Sequence, residues 1–421
     1  MSAAGPDKFT LVQSDFPREL AAFVDFVGAE VLTKALGKVI QKLESLSPKT
    51  RLLFSDRYFF HEQFIDFVDH SRPFRLDVSV SSAVRAASLV AGINRVKVSL
   101  SSAGADRLRS MVMDNLKPDR DMRQLEQEIR CATHFGRKGY TVTFADLEGL
   151  GAFDLLVETG TDSFEVECKA ISEDTGSQIK SELTVNLCET FRRVVLSQPV
   201  AWESGIFILT LKKPADDCRN LAQHTEEALA TAVTKPFDST DFGLIFAPRP
   251  GWGQLLKSTR IQELDETIAL DSEIARRPFC AIETVESALG LSIRGHKPNT
   301  LSRRLVQVVK EGADQCTGLR PSIVWLHFVG FAEPDFLRLA EFSRDGRGAG
   351  LNNIVARSLH PEATSTDRSH VHTVRFSAKG DLLSNRPILA PSLLIVRAIS
   401  SDGPCYDVPN PLCRFPQRID L

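Results

Sequence analysis

A chain of 421 residues is longer than one core ordinarily fills and points to two or three domains. Hydrophobic residues make up 43% and charged residues 25%, the balance of a water-soluble globular protein, which excludes an extended low-complexity chain. The formal charge of −3 leaves a nucleic-acid partner open, because a local patch can carry the phosphate contacts.

Eight cysteines stand at 131, 168, 188, 218, 280, 316, 405 and 413. None forms a CxxC pair and several lie in apolar runs, which argues against a zinc knuckle or a disulfide framework. Reduced, mostly buried thiols are expected. Asp7, Lys8 and Asp15 interrupt the N-terminus before any signal-peptide apolar region could form. The longest apolar runs, such as "SIVWLHFVGF" at 322–331, are too short to span a bilayer. A soluble, cytoplasmic protein with no membrane partner is expected.

Residues 1–118 read as a mainly helical region. Leu20, Phe23, Val24, Val27, Val31, Leu32 and Leu36 follow a 3.6-residue stripe, and "HEQFIDFVDH" and "ADRLRSMVMDNL" continue in that style. His61 and His70 have no matching ligand spacing and read as helix-surface residues. From 119 the pattern changes. "DMRQLEQEIRCATHFGRKGY" reads as a helix with Leu125, Ile129, Ala132 and Phe135 on its buried stripe. Strand candidates follow at 140–146, 153–158 and 163–172, then a helix at about 177–197 and a strand at 205–211. Helix, three strands, helix, strand describes an α/β sheet covered on both sides, with bounds drawn at 119–215. Residues 216–421 read as a further α/β region. Its strands are expected at 243–248, 279–285, 322–330, 372–377 and 392–399, and its helices at 259–275, 299–314 and 333–345.

The chemistry concentrates in "FEVECKAIS" at 164–172. Glu165, Glu167 and Lys169 alternate, so in a strand they share one face. The bland alternative is an edge strand with Phe164, Val166 and Cys168 inward and the charges in water. Asp154 opens the preceding strand, thirteen residues before Glu167, and Glu128 lies on the stripe side of the earlier helix. Antiparallel pairing would bring Asp154 within reach of the Glu167–Lys169 face. Two converging carboxylates suit Mg²⁺ or Mn²⁺, and a neighbouring ammonium can orient water and stabilise developing negative charge. Such a set can hydrolyse a phosphodiester.

These residues resemble the PD-(D/E)XK nuclease superfamily, with its restriction-endonuclease-like fold, over roughly residues 121–211. The match is Asp154, then Glu167-Cys168-Lys169, with "GY" at 139–140 opening the first strand and Glu128 eleven residues before that glycine. Phe153 stands where many members carry proline. The resemblance implies that Asp154 and Glu167 bind the metal and that Lys169 is the catalytic lysine. Glu128 would be an accessory ligand or an orienter of Lys169. It further implies an α/β restriction-endonuclease-like core, a mixed sheet flanked by helices, between the helical N-terminal region and the C-terminal α/β region. The expected function is a divalent-metal-dependent nuclease, with DNA placed ahead of RNA. The competing reading is an inactive nuclease-like fold that binds nucleic acid or serves assembly, as a homodimer or with a partner protein. Asp146 is the rival for the first acidic position, and Glu165 reads as rim or supporting.

Weaker signals are basic residues that could meet phosphates: Lys180, Arg192 and Arg193 on one helix, Arg303 and Arg304 on another. "GLSIRGHK" at 290–297 lacks the lysine of a phosphate loop. His370 and His372 read as surface histidines, and Trp202, Trp252 and Trp325 are too scattered for a stacking platform.

Overall fold

The computed structural model describes residues 11–12, 15–44, 57–68, 81–118, 120–172, 174–177, 179–197, 203–215, 221–232, 235–249, 279–283, 288–297, 300–329, 336, 340, 350–360, 366–378, 395–396, 404–415 and 419. His70, Trp202, Trp252, the helix expected at 259–275 and almost all of that at 333–345 lie outside these residues.

In chain order, β1 (Leu11–Val12) precedes helices α1 (Phe16–Val27), α2 (Ala29–Glu44), α3 (Phe59–Val68), α4 (Ser81–Ser99) and α5 (Ser102–Asn115). Then come α6 (Arg123–Arg137), β2 (Thr141–Phe144), α7 (Ala145–Glu148), β3 (Leu155–Glu158) and β4 (Ser163–Ile171). Next are α8 (Ser181–Ser197), β5 (Gly205–Leu211), α9 (Leu221–Ala232), β6 (Phe237–Asp238), β7 (Phe242–Pro248), β8 (Phe279–Glu283) and β9 (Ala288–Arg294). The chain closes with α10 (Leu301–Gln315), β10 (Ser322–Phe328), α11 (Leu351–Leu359), β11 (Val371–Ala378), β12 (Ile395–Val396) and β13 (Cys405–Pro409).

The protein is mixed α/β, with two mixed sheets flanked by helices and a short β1–β12 pair. Among the described residues no helix is long and apolar enough to cross a membrane. Contacts divide the chain into two units: Met1–Glu44, Ser55–Ser172 and Ser302–Leu421 form one, Ser45–Phe54 and Glu173–Leu301 the other. This division differs from bounds at 118/119 and 215/216. The α8–β5 pair follows β4 in sequence but belongs to the second unit, whose sheet has the order β6-β7-β5-β9-β8. The six-stranded sheet of the first unit runs β13-β11-β10-β4-β3-β2, so β4 is joined in parallel by β10, more than a hundred residues later. Thr300 N–H donates to the Gly176 carbonyl at 2.9 Å, so the inserted segment leaves and returns side by side.

Apolar spacing explains the local structure. The α1 and α2 stripes bury Phe23, Val27, Leu32 and Leu36, but the run is two helices, because Gly28 adopts φ +102° and ends the first. These helices and α3–α6 share one core with the sheet, in which Phe135 of α6 meets Phe164 and Trp325 edge-on at 5.3 and 5.9 Å. His61 is not on the surface: it is fully buried beside Tyr58 and Phe60, its Nε2 3.2 Å from the Leu116 carbonyl, and burial lowers its pKa to about 4. His370 is likewise buried, with Nε2 3.0 Å from the Ala313 carbonyl. β9 occupies the stretch that sequence reading left without structure; it is buried from Leu289 to Ile293, and Leu289, Leu291 and Ile293 join the core of the second unit.

α10 packs closely on the first sheet because of Gly312. A Cβ there would lie 2.8 Å from Val324 Cγ1 and 3.3 Å from Glu167 Cγ. Gly312→Ala is therefore expected to destabilise, although alanine favours helix by about 1 kcal/mol. Overpacking of a core costs about 1–3 kcal/mol and outweighs that gain. A lower urea midpoint at unchanged slope checks it.

Candidate active site

The site lies where β3 and β4 part. Their antiparallel ladder runs from Glu158↔Ser163 to Leu155↔Val166 and stops there, while β10 accompanies β4 from Glu165 to Ile171 on its other side. Beyond Val166 the open side of β4 must find other hydrogen-bond partners. Asp154, the residue before β3, supplies one: its Oδ2 accepts from Cys168 N–H at 2.6 Å. Gln124, in the first turn of α6, supplies the rest. Its Oε1 accepts from Ala170 N–H and its Nε2 donates to the Cys168 carbonyl, both at 2.9 Å.

Around this fork the expected residues come together. Glu167 is 1% exposed, Glu128 4% and Asp154 9%, whereas Lys169 keeps 24% of its side chain accessible. Lys169 Nζ lies 2.5 Å from Glu167 Oε1 and donates to Gln315 Oε1 at 2.5 Å. Gln315 in turn donates to the Ala152 carbonyl at 3.2 Å, tying the ammonium to the turn that leads into Asp154. Gln124 Nε2 also donates to Glu128 Oε1 at 2.9 Å.

Glu165 does not sit at a rim. It is fully buried, accepting from Thr317 N–H at 2.7 Å and from the Thr317 hydroxyl, with Arg320 Nη1 at 3.3 Å. It anchors the turn between α10 and β10 and is structurally satisfied. Asp146 lies in α7, where its Oδ1 accepts from Leu147 N–H at 2.7 Å and burial raises its pKa.

The carboxyl groups destabilise one another's charge. Burial, opposed by the Gln124 hydrogen bond and reinforced by Asp146 and Glu167, raises Glu128 to about 8. Burial, then Glu128 and Glu167, holds Asp154 well above the usual carboxylate range, against the Cys168 N–H. Burial lifts Glu167 to about 7 in spite of Lys169. For Lys169, burial works against the ammonium but Glu167 outweighs it, and the pKa rises.

This donor set fits a hard divalent cation. The oxygens are carboxylate, and Glu128 Oε2 is buried without a hydrogen-bond donor among the described residues. Among those residues no three or more His, Cys, Asp or Glu are spaced as a preformed metal cage. Mg²⁺ needs none, since it is commonly held by one or two carboxylates, several waters and substrate phosphates.

Lys180, Arg192 and Arg193 belong to the second unit, where Lys180 Nζ donates to the Asp174 carbonyl at 2.8 Å and Arg192 pairs with Glu189 at 2.9 Å. Arg303 and Arg304 are exposed near the start of α10, and Arg304 pairs with Glu311 at 3.0 Å. Sequence reading missed Gln124 and Gln315. Gln124 could have been suspected from its i,i+4 spacing to Glu128. Nothing local marks Gln315, 146 positions from the lysine it holds. Cys131, Cys168, Cys188 and Cys316 are buried free thiols, while Cys405 is exposed. Comparison with family models, with curated proteins and with solved structures finds no match to this chain.

Proposed function

We propose that the six-stranded unit is a restriction-endonuclease-like core of the PD-(D/E)XK type and that the chain is a divalent-metal-dependent nuclease, with DNA the first substrate to test. One observation carries the reading. Three separate elements (α6, the turn before β3, and β4) place Glu128, Asp154 and Glu167 in one buried fork beside a single ammonium. Burying three carboxyls without enough donors costs stability, and a structural role would have been served as well by apolar residues. The order of the sheet agrees with the reading: β2, β3, β4 and β10 are neighbours, with β3 antiparallel to both its partners.

The chemistry that a bound Mg²⁺ or Mn²⁺ would supply is polarisation of a phosphoryl oxygen and a lowered pKa for a coordinated water. Asp154 and Glu167 would hold it, with Glu128 as the accessory ligand. Asp154 is fixed by Cys168 N–H, which leaves its second oxygen for the ion. Lys169, held between Glu167 and Gln315, keeps its proton and faces the substrate as a fixed positive charge. That charge orients the attacking water and stabilises the oxyanion that develops on phosphorus. The surrounding burial keeps the field strong.

Titration of the full chain with Mn²⁺ in a calorimeter, beside incubation of DNA with protein and Mg²⁺, tests the proposal. The parent is expected to bind Mn²⁺ and cut. Asp154→Asn still accepts the Cys168 hydrogen bond, so it is expected to fold, yet to lose ion binding by more than the about 10- to 100-fold that removal of an outer partner costs. Absence of ion binding in both proteins would favour the binding or assembly module.

A further inference from the structure

We infer that Gln124 is the positioning residue of this site: its carboxamide stands in for the strand that β4 lacks on its open side and from the same place aims Glu128 into the fork. The inference rests on the metal-site reading above. A strand with one free side leaves a carbonyl and an N–H two residues apart, and a peptide group is their natural partner. A carboxamide reproduces that donor and acceptor in one plane. Gln124 satisfies Ala170 N–H with its oxygen and the Cys168 carbonyl with its nitrogen, each at 2.9 Å. These are the residues on either side of Lys169, so on the open side of β4 the backbone carrying the lysine is held by this side chain together with Asp154.

The second N–H of the same amide goes to Glu128 Oε1 at 2.9 Å, which accounts for both of its protons. One carboxylate oxygen is thereby occupied and the other, Oε2, stays buried without a donor among the described residues. A group fixed through one oxygen and bare at the other is oriented as an outer partner orients a metal ligand. Neither aspartate nor glutamate at 124 could do this, because a carboxylate has no proton to give the Cys168 carbonyl or Glu128. Asparagine keeps the chemistry but is one methylene short.

Gln124→Met, of matched length and good helix propensity, removes both functions. Two measurements on the full chain read them separately. Amide hydrogen exchange at Ala170 is expected to quicken about tenfold, the factor set by one ordinary hydrogen bond. Calorimetric Mn²⁺ affinity is expected to fall about 10- to 100-fold, and to fall no further when the same change is made in Glu128→Gln, because the effect passes through Glu128. Unchanged exchange at Ala170 overturns the strand-substitute role. Parental Mn²⁺ affinity, or the same loss in the Glu128→Gln background, overturns the aiming role. A parent chain that takes up no Mn²⁺ sinks the metal-site reading and the aiming role with it, and exchange at Ala170 still decides the other half. Should Gln124→Met fail to fold, Gln124→Asn is expected to show both losses, and parental behaviour in it overturns the inference.

Discussion

Lys169→Met is expected to lower metal-dependent cleavage by about 10²–10³-fold, the range seen when one preorganised charge is removed from a transition state. The side chain is a partly accessible cation beside the three carboxyls, and it is held from two sides, by Glu167 and by Gln315. Lys169→Arg should not restore activity. A guanidinium is a planar fork and cannot occupy a slot shaped for a point charge between two single acceptors. The stability of Lys169→Met carries a second signature. Without the ammonium, Glu167 is a buried carboxylate lacking its partner, and its pKa moves above about 7. The variant should therefore unfold more easily than the parent at pH 8 and recover much of the difference at pH 6, where Glu167 is protonated. Cleavage by Lys169→Met at the parental rate would remove Lys169 from the mechanism.

The second large effect is a stability that falls as pH rises. Glu128 moves from an ordinary value of 4.5 up to about 8, Glu167 from 4.5 to about 7, and Asp154 also upward. Between 4.5 and these raised values the folded chain holds protons that the unfolded chain has released. Stability contributed by the neutral carboxyls is thus present in full below about pH 4.5 and is lost progressively up to about pH 8. At a little over 1 kcal/mol for each unit of pKa, the rise at Glu128 alone is on the order of 5 kcal/mol for the metal-free chain. Urea unfolding from pH 5 to 8 measures the slope. Glu128→Gln should flatten it and stabilise the metal-free chain at pH 8. Addition of Mn²⁺ should raise the unfolding midpoint strongly at pH 8 and little at pH 5.5, because the ion must compete with protons at the lower pH. A flat profile would show that the carboxyls ionise in the fold at their ordinary values, and an equal Mn²⁺ effect at both pH values would show that the ion does not compete with their protons.

Much of this arrangement was legible in the residues. Alternation in "FEVECKAIS" marked β4 and put Glu167 and Lys169 on one face; the Asp154 strand start and the α6 stripe marked the other two carboxyls. Such features depend on spacings of two or 3.6 residues, and local periodicity carries them. Periodicity also misled where burial is decided by distant contacts. Glu165 shares the strand face of Glu167, but Thr317 and Arg320 occupy its oxygens, and that turn is about 150 positions away. His61 sits on a polar-looking helix face that the fold turns inward.

The sequence by itself determined the elements around the fork and the carboxyl–carboxyl–lysine set. Only the tertiary structure decided that β10, and not β5, lies against β4, that the intervening segment forms a unit of its own, and that Gln124 and Gln315 hold the site together. The reason is physical. An apolar strand such as 205–211 satisfies its own pattern beside any matching neighbour, so the pattern cannot name which one. A neutral amide has no periodic signature and becomes functional only when the fold sets it against a strand with one free side.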